Sequence, residues 1–400
     1  MGRTEPSIGR PPAAFRKDAR AKKAKATLNQ TIPQLLSAHP RARRGIEAAE
    51  LIFNPPPGDP KAEIKKSNGQ DKNAQPGPPG PRLSLQVADT LTAAHSLLAR
   101  DTPPGVTLDL GNKTARVAIL NMASPLSPGG GFLNGAGSQE ESLCMRTTLL
   151  PSLKDEHYRL PEIGAIFTPD VLVFRDEEAE DVLEKNDRWF VDCITAAMLR
   201  GPEIDVNELG RGSYTHEKDR ELVSQKMKMV MRICQAKGVK RLVAGAWGCG
   251  AYGNPVGEVA QQWKKVLLPP RKNSKGKQKG AKETWDGVEE VVFAIKDGGM
   301  AEAFAEAFGE GLLRDESPDG DKDEDEEVDP EEVKRQELQD KIRELEQRIE
   351  AAANPRVREG LTSILEGLRK QLPEDTELDG GEPREGDPSS EEDAKTDAER

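Results

Sequence analysis

Two glycine-rich stretches and one pair of adjacent carboxylates are the parts of this 400-residue chain whose residue types and spacing could do chemistry. The first stretch, Pro128-Gly129-Gly130-Gly131-Phe132-Leu133-Asn134-Gly135-Ala136-Gly137-Ser138, runs directly into Gln139-Glu140-Glu141-Ser142. Successive glycines let backbone N–H groups approach an anion closely, and a helix opening just afterwards turns its positive end the same way. That combination favours a phosphate. Glycine-rich loops are also common turns, and without the carboxylates a structural role is the more frequent one. Adjacent helical residues point about 100° apart, so one of Glu140 and Glu141 can reach a reacting bond while the other addresses a different group. Taken alone, such a pair is often no more than an acidic helix start, favoured by the dipole by about 0.3–1 kcal/mol.

The second stretch is Gly245-Ala246-Trp247-Gly248-Cys249-Gly250-Ala251-Tyr252-Gly253-Asn254, which follows the apolar run Leu242-Val243-Ala244 and again leads into a helix. Two strand-to-helix glycine loops at one edge of a sheet can embrace a diphosphate from two sides. Tyr252 can pack on a ribose or a base, or simply close the loop as a surface aromatic. Neither loop follows G-x-x-x-x-G-K-[ST] or a G-x-G-x-x-G with its downstream acid, so nucleoside triphosphate hydrolysis and nicotinamide binding gain little support.

The elements that must hold these loops alternate in kind. Strand-like runs at Leu83–Val87, Ala115–Leu120, Ala165–Phe174, Trp189–Ile194, Arg241–Ala246 and Val288–Ile295 are interleaved with helix-like runs. These fall at Asp89–Ala99, Gln139–Leu150, Lys218–Ala236, Val256–Leu267 and Ala301–Leu313. Alternation of this kind predicts an α/β sandwich with helices on both faces of a mixed sheet. The folded body is expected to start after Phe53–Pro81, where Pro55-Pro56-Pro57 and Pro76-Gly77-Pro78-Pro79-Gly80-Pro81 suit neither a helix interior nor a central strand.

The ends differ from the body in charge. Residues 1–45 carry eleven basic and two acidic residues, and residues 315–400 carry 31 acidic and 13 basic ones, so the formal net charge of −12 belongs to the tail. The segment from Arg16 to Lys25 fits a nuclear-import signal, a nucleic-acid-binding arm, or a solvated Ala/Lys helix. Arg271 to Lys282 holds six cations and reads as a surface insert. Leu338, Ile342, Leu345 and Ile349, then Val357, Leu361, Ile364, Leu368 and Leu372, mark two short amphipathic helices divided at Asn354-Pro355, a helical hairpin or short coiled coil. No apolar run approaches the roughly 18 residues of a membrane span, and the N-terminus lacks a signal's apolar core, so an intracellular protein, nuclear or cytoplasmic, is expected. Cys144, Cys193, Cys234 and Cys249, with four scattered histidines, show no metal-ligand spacing and no disulfide framework, and no metal or cofactor is expected.

The triglycine Gly129–Gly131, seven further residues and then Gln139-Glu140-Glu141 resemble the signature of poly(ADP-ribose) glycohydrolases. Asn121-Met122-Ala123-Ser124 and Phe132–Ala136 are similar to the microbial-type branch, as are Gly245–Gly250 with Gly253-Asn254, and Pro169-Asp170-Val171 with Val173–Asp176. The resemblance spans roughly Leu83 to Leu313. It implies a macrodomain-like three-layer α/β/α sandwich with a mixed sheet, flanked by disordered and helical extensions, whose cleft holds ADP-ribose.

By that resemblance Glu141 is the acid/base at the ribose–ribose O-glycosidic bond, Glu140 contacts a ribose hydroxyl and Gln139 orients the pair. Asn121 joins the substrate contacts. Gly129, Gly130, Gly131 and Gly248, Cys249, Gly250 and Gly253 hold the diphosphate, and Tyr252 stands beside a ribose. Glycosidic cleavage through an oxocarbenium-like transition state needs such an acid to protonate the leaving oxygen and then activate water.

Together these readings divide the chain into a basic helical arm (1–52), a Pro/Gly-rich linker (53–81), a macrodomain-like glycohydrolase domain (82–314), an acidic linker (315–329), a helical hairpin or short coiled coil (330–372) and a disordered acidic tail (373–400). The expected partner is poly(ADP-ribose) or an ADP-ribosylated protein, with a possible helical partner at the C-terminal hairpin and no membrane. A non-catalytic ADP-ribose reader and a scaffold built around the tail are the competing classes. The linker, the insert and the tail lie outside the family pattern, and the segment after Arg175 departs from it.

Overall fold

The computed structural model describes residues 13–57, 80–102, 105–112, 115–177, 181–208, 210–268, 283–314 and 355–370, together with Leu338, Ile342, Leu345, Glu346 and Ile349. The basic insert 271–282, the acidic run 315–329, the acidic tail beyond 372 and most of the proline-rich linker lie outside the described residues.

Eight strands form the main sheet. In chain order they are β1 (Glu50–Phe53), β2 (Arg82–Gln86), β5 (Val117–Met122), β6 (Gly164–Val173), β7 (Trp189–Ala196), β10 (Arg241–Ala244), β11 (Glu290–Ala294) and β12 (Leu313–Arg314), while β3 (Ala99–Thr102) with β4 (Gly105–Leu108) and β8 (Ile204–Val206) with β9 (Gly212–Tyr214) make two small ribbons. The spatial order is β1-β6-β7-β5-β10-β11-β2-β12. Only β6 runs against the rest, antiparallel to both β1 and β7. The strands β7, β5, β10, β11, β2 and β12 are mutually parallel.

Alternate side chains of the central strands enter opposite cores, as the two-residue strand period requires. Ala118 and Leu120 of β5, Leu242 and Ala244 of β10, and Val291 and Phe293 of β11 pack on one side. Their partners there come from α6 (Glu217–Lys237), α7 (Val256–Leu267) and α8 (Gly298–Phe308), including Met227, Trp263, Phe304 and Phe308. Val117, Ile119, Val243 and Val292 face the other side, against Leu91 and Ala94 of α4 (Thr90–Ser96) and Leu143 of α5 (Gln139–Arg146). The result is three layers, a macrodomain-like α/β/α sandwich. Each fully buried aliphatic or aromatic side chain contributes roughly 1.5–3 kcal/mol, which explains why strands this apolar sit at the centre.

Two expected helices have other bounds. The helix from Gln139 stops at Arg146 instead of Leu150, because the chain turns extended to pair with β6: Thr148 N donates to Leu172 O at 3.0 Å and Leu172 N to Thr148 Oγ1 at 3.0 Å. Helix α8 starts three residues early on the Asp297 cap, whose side chain accepts from Met300 N, and ends before Gly309 at φ +66°. Leu313, read as its last residue, instead pairs with β2 together with Arg314.

The N-terminal segment is more than a separate arm. Helices α1 (Ala13–Ala26), α2 (Ile32–Ala38) and α3 (Pro40–Glu47) belong to the same compact unit as the sheet, and Glu50–Phe53 adds an edge strand to it. Ile32, Leu35 and Ala42 share a buried cluster with Leu172 and Phe174 from the end of β6. A second unit begins at Lys341. Within it lies α9 (Pro355–Arg369), Ile342 and Leu365 are buried, and Arg369 Nη2 donates to Glu346 Oε1 at 2.6 Å.

Candidate active site

Parallel neighbours β5 and β10 each end in one of the glycine-rich loops, so both loops leave the same edge of the sheet. They also touch: a Cβ on Gly245 would stand 2.5 Å from Met122 Cε and 2.8 Å from Ala294 O, so only glycine lets the second loop cross the ends of β5 and β11. The loop after β7 joins them, with Met198 against Gly248.

The first loop builds a socket for the carboxylate pair. Gly129 (φ +71°) and Gly130 (φ +57°) adopt the left-handed backbone that favours glycine, and a Cβ on Gly130 would lie 2.4 Å from Glu141 Oε1 and 3.0 Å from Glu140 Oε2. Gly131 N donates to Glu141 Oε1 at 2.7 Å, and the Ser138 hydroxyl donates to Glu141 Oε2. Ser138-x-x-Glu141 has the spacing of a capping box, in which the serine would accept from the third helical amide and the glutamate would reach the cap N–H. Here the serine side chain makes no cap bond and the glutamate is turned toward the triglycine.

Glu140 is held from the strand side. Ser124 N donates to its Oε2 at 2.8 Å and Asn121 Nδ2 approaches its Oε1 at 3.4 Å, while Asn121 Nδ2 also donates to Thr195 Oγ1 at 3.2 Å. Both carboxylates are buried, with 2% of Glu140 and 6% of Glu141 exposed. Burial, and then the charge of Glu141, push the Glu140 carboxyl well above the usual carboxylate range against the opposing bonds from Ser124, Asn121 and Gly129. Gln139 ties the helix start to the strand: its Oε1 accepts from Met122 N at 2.9 Å and its Nε2 donates to Leu120 O at 2.8 Å and Thr90 Oγ1 at 3.1 Å.

In the second loop, Asn254 does the shaping. Its Nδ2 donates to Leu199 O at 2.7 Å and Gly248 O at 3.0 Å, and its Oδ1 accepts from the Tyr214 hydroxyl at 2.8 Å. Gly248 (φ +78°) has no room for a side chain, whereas Gly250 and Gly253 face open space. Cys249 is partly buried with its thiol pushed up to about 12 by burial, so it is a neutral wall of the loop. The Tyr252 ring lies 5.9 Å from the Arg200 guanidinium, and Tyr252 O accepts from Gly201 N at 3.0 Å.

The expected residues of the first loop thus meet around Glu140 and Glu141, and those of the second loop sit at the same sheet edge. Several participants carry no sequence signal. Ser124 and Ser138 are ordinary loop serines, and Thr195 reaches Asn121 only because β5 pairs with β7. Tyr158 lies within electrostatic reach of both Glu140 and Tyr252, its phenol pushed up chiefly by burial, and its hydroxyl has no hydrogen-bond partner. Among the described residues no group of three His, Cys, Asp or Glu side chains could hold a metal ion, and no helix is long and apolar enough to cross a membrane.

This geometry has relatives. Residues 52–176 match the family model described as Microbial-type PARG, catalytic domain. The matched stretch runs from β1 through the triglycine loop and both glutamates to Asp176. The poly(ADP-ribose) glycohydrolase from Thermomonospora curvata is similar over 73% of this chain and 100% of that one, with 26% identity and a TM-score of 0.51. The same enzyme bound to the inhibitor ADP-HPD aligns over the same shares at 25% identity and a TM-score of 0.49. A Deinococcus radiodurans poly(ADP-ribose) glycohydrolase in complex with ADP-ribose aligns over 67% of this chain and 97% of that one, at 21% identity and a TM-score of 0.46. No curated protein sequence matches the chain.

Proposed function

We infer that this protein is a glycoside hydrolase that cleaves the ribose–ribose O-glycosidic bonds of poly(ADP-ribose) and releases ADP-ribose. The observation that carries the reading is the Glu141 carboxylate, fixed at 2.7 Å by the amide of Gly131 inside a triglycine turn and flanked by the buried Glu140. In this reading the Gly248–Gly253 turn faces the diphosphate and a ribose hydroxyl meets Glu140, whereas the triglycine amides are given to Glu140, Ser127 O and Glu141 and so set the carboxylate pair. Glu141 protonates the departing ribose oxygen and then takes a proton from the water that attacks the anomeric carbon. Gln139 and Asn121 are positioning residues, since each bonds the backbone or side chains that set the carboxylate pair. Tyr252 packs beside a ribose.

The buried setting of the pair supports this chemistry, because a site closed to water strengthens the interactions that the carboxylates make with the substrate. Glu141→Gln tests the assignment: release of ADP-ribose from labelled polymer should fall by about 10²–10⁴-fold, the usual worth of a positioned acid/base, while polymer retention persists. Unchanged turnover would reject the role. Polymer retained but not shortened by the wild type would favour a reader.

We also read residues 330–372 as a helical hairpin able to take a helical partner, in keeping with the buried Ile342 and Leu365 and the Arg369–Glu346 pair. An intracellular setting, nuclear or cytoplasmic, fits the four free cysteines.

A further inference from the structure

The basic N-terminal segment is not absorbed by the reading above, and the fold gives it a definite place. Helix α1 carries Arg16, Lys17, Arg20, Lys22, Lys23 and Lys25 against the single acid Asp18, and it lies outside the residues matched to the catalytic-domain family. One face of it is fastened to the first glycine loop. Arg20 Nε donates to Gly135 O at 2.7 Å, a Cβ on Gly135 would stand 2.2 Å from Lys17 O, and Ala24 is buried with Phe132 and Cys144. Just beyond, Thr27 is tied to the region by Arg175 Nη1 at 2.9 Å, and Arg175 also donates to Met145 O at 2.7 Å. The helix is therefore seated on the four-residue approach to Ser138 and Glu141, and cannot swing free of it.

The opposite face is exposed and has a different composition. Lys22 and Lys25 are exposed and Lys23 is half-buried, with only Lys22 of the three paired, to Asp18 at 2.8 Å, and Phe15 is 64% exposed two turns before Lys22. Phe15, Ala19 and Lys22 fall at i, i+4 and i+7, one stripe of the helix. An uncovered aromatic ring in line with one lysine and flanked by two more is what a flexible polyanion with π-faces uses: phosphates displace counterions and a base stacks on the ring.

We propose that the outward face of α1 is a docking track for the part of the poly(ADP-ribose) chain that extends beyond the bond being cut. The proposal rests on the glycohydrolase reading and deepens it. The polymer carries a pyrophosphate in every repeat and an adenine to stack, so it matches Lys22, Lys23, Lys25 and Phe15 in charge and shape. Because α1 is clamped to the loop that holds Glu141, chain captured there is held beside the cleft, and the gain in affinity rises with chain length.

The test uses the full chain with K22Q/K23Q/K25Q, and separately F15A, on sized polymers from two repeats upward, with KM followed against salt. The triple variant should reduce the slope of log KM against log salt by roughly 2 on long polymer, from about 0.7 per charge on a single strand, with the loss growing with chain length. F15A should weaken long-polymer binding with little change in slope. An equal effect on two-repeat and long substrates, or an unchanged slope, overturns the track. If the triple variant loses affinity for single-stranded RNA of similar length but keeps that for polymer, the surface serves nucleic acid and the proposal falls. Failure of the wild type to cut any polymer would instead sink the glycohydrolase reading.

Discussion

Gly130 leaves no choice of side chain. Its φ of +57° and the 2.4 Å approach of an added Cβ to Glu141 Oε1 mean that Gly130→Ala must displace a carboxylate oxygen or unwind the turn. The expected outcome is a loss of cleavage of about 10²-fold or more, since a misplacement of about 1 Å can cost that much, with circular dichroism unchanged. Glu140 poses the complementary question of charge. Its folded-state carboxyl is raised, by burial first and then by Glu141, so the native protein binds a proton that the unfolded chain releases near the ordinary value of about 4.3. Stability contributed by this group is therefore full below that value and declines as pH rises from it through the folded-state pKa. Glu140→Gln should remove that decline. Urea unfolding at pH 5 and pH 8 checks it: the variant must gain on the wild type at the higher pH, and a parallel fall in both proteins refutes the assignment.

At the scale of elements, the first loop is held from two sides, by β5 through Gln139, Asn121 and Ser124, and by α1 through Arg20 and Gly135. Gly135→Ala combines a left-handed φ of +80° with a backbone clash against Lys17 O, so it should detach α1 and cost about 1–3 kcal/mol. Hydrogen exchange would register this as faster amides in α1 with α6 and α7 unchanged; uniform loss of protection would mean that the loop itself, and not its brace, had failed. The Arg146–Asp89 pair sets the far end of α5 against the cap of α4, with Nη1 and Oδ1 2.7 Å apart and both side chains largely buried. Burial works to raise the Asp89 carboxyl, but the Arg146 charge and hydrogen bonds from its surroundings override it and hold it at about 2. Arg146→Ala leaves that carboxylate unpaired and should cost about 3–5 kcal/mol in a denaturant titration.

For the whole molecule, the two ends should behave differently when removed. Ending the chain at Asp340 takes away the second compact unit, and a chain so shortened should keep its melting transition and its cleavage of short polymer. Removing residues 1–49 strips Ile32, Leu35 and Ala42 from Leu172 and Phe174 and takes Ala24 off Phe132, so that product should aggregate or lose several degrees in Tm. A fully active, equally stable product of the second deletion would show that the N-terminal helices are an appendage after all.

What the sequence determined by itself lies in local patterns. Strand and helix alternation over 83–313 marked the layered body, because two-residue and 3.6-residue periods are written directly in the order of apolar residues. The triglycine and Gln139-Glu140-Glu141 marked the candidate chemistry through their resemblance to the signature of poly(ADP-ribose) glycohydrolases. The tertiary structure decided what depends on distant partners. Glu50–Phe53, at the junction of the expected helical arm and linker, became a strand only because the edge of β6 was there to pair with it. Ser124 and Thr195 joined the site through strand pairing and loop packing that leave no trace in spacing. Likewise, α1 could be read as basic from its residues, but its seat on Gly135 exists only once the loop and the helix meet in space. Local propensity acts through neighbours in the chain; burial, charge coupling and docking also act between segments far apart in it, as between Arg20 and Gly135.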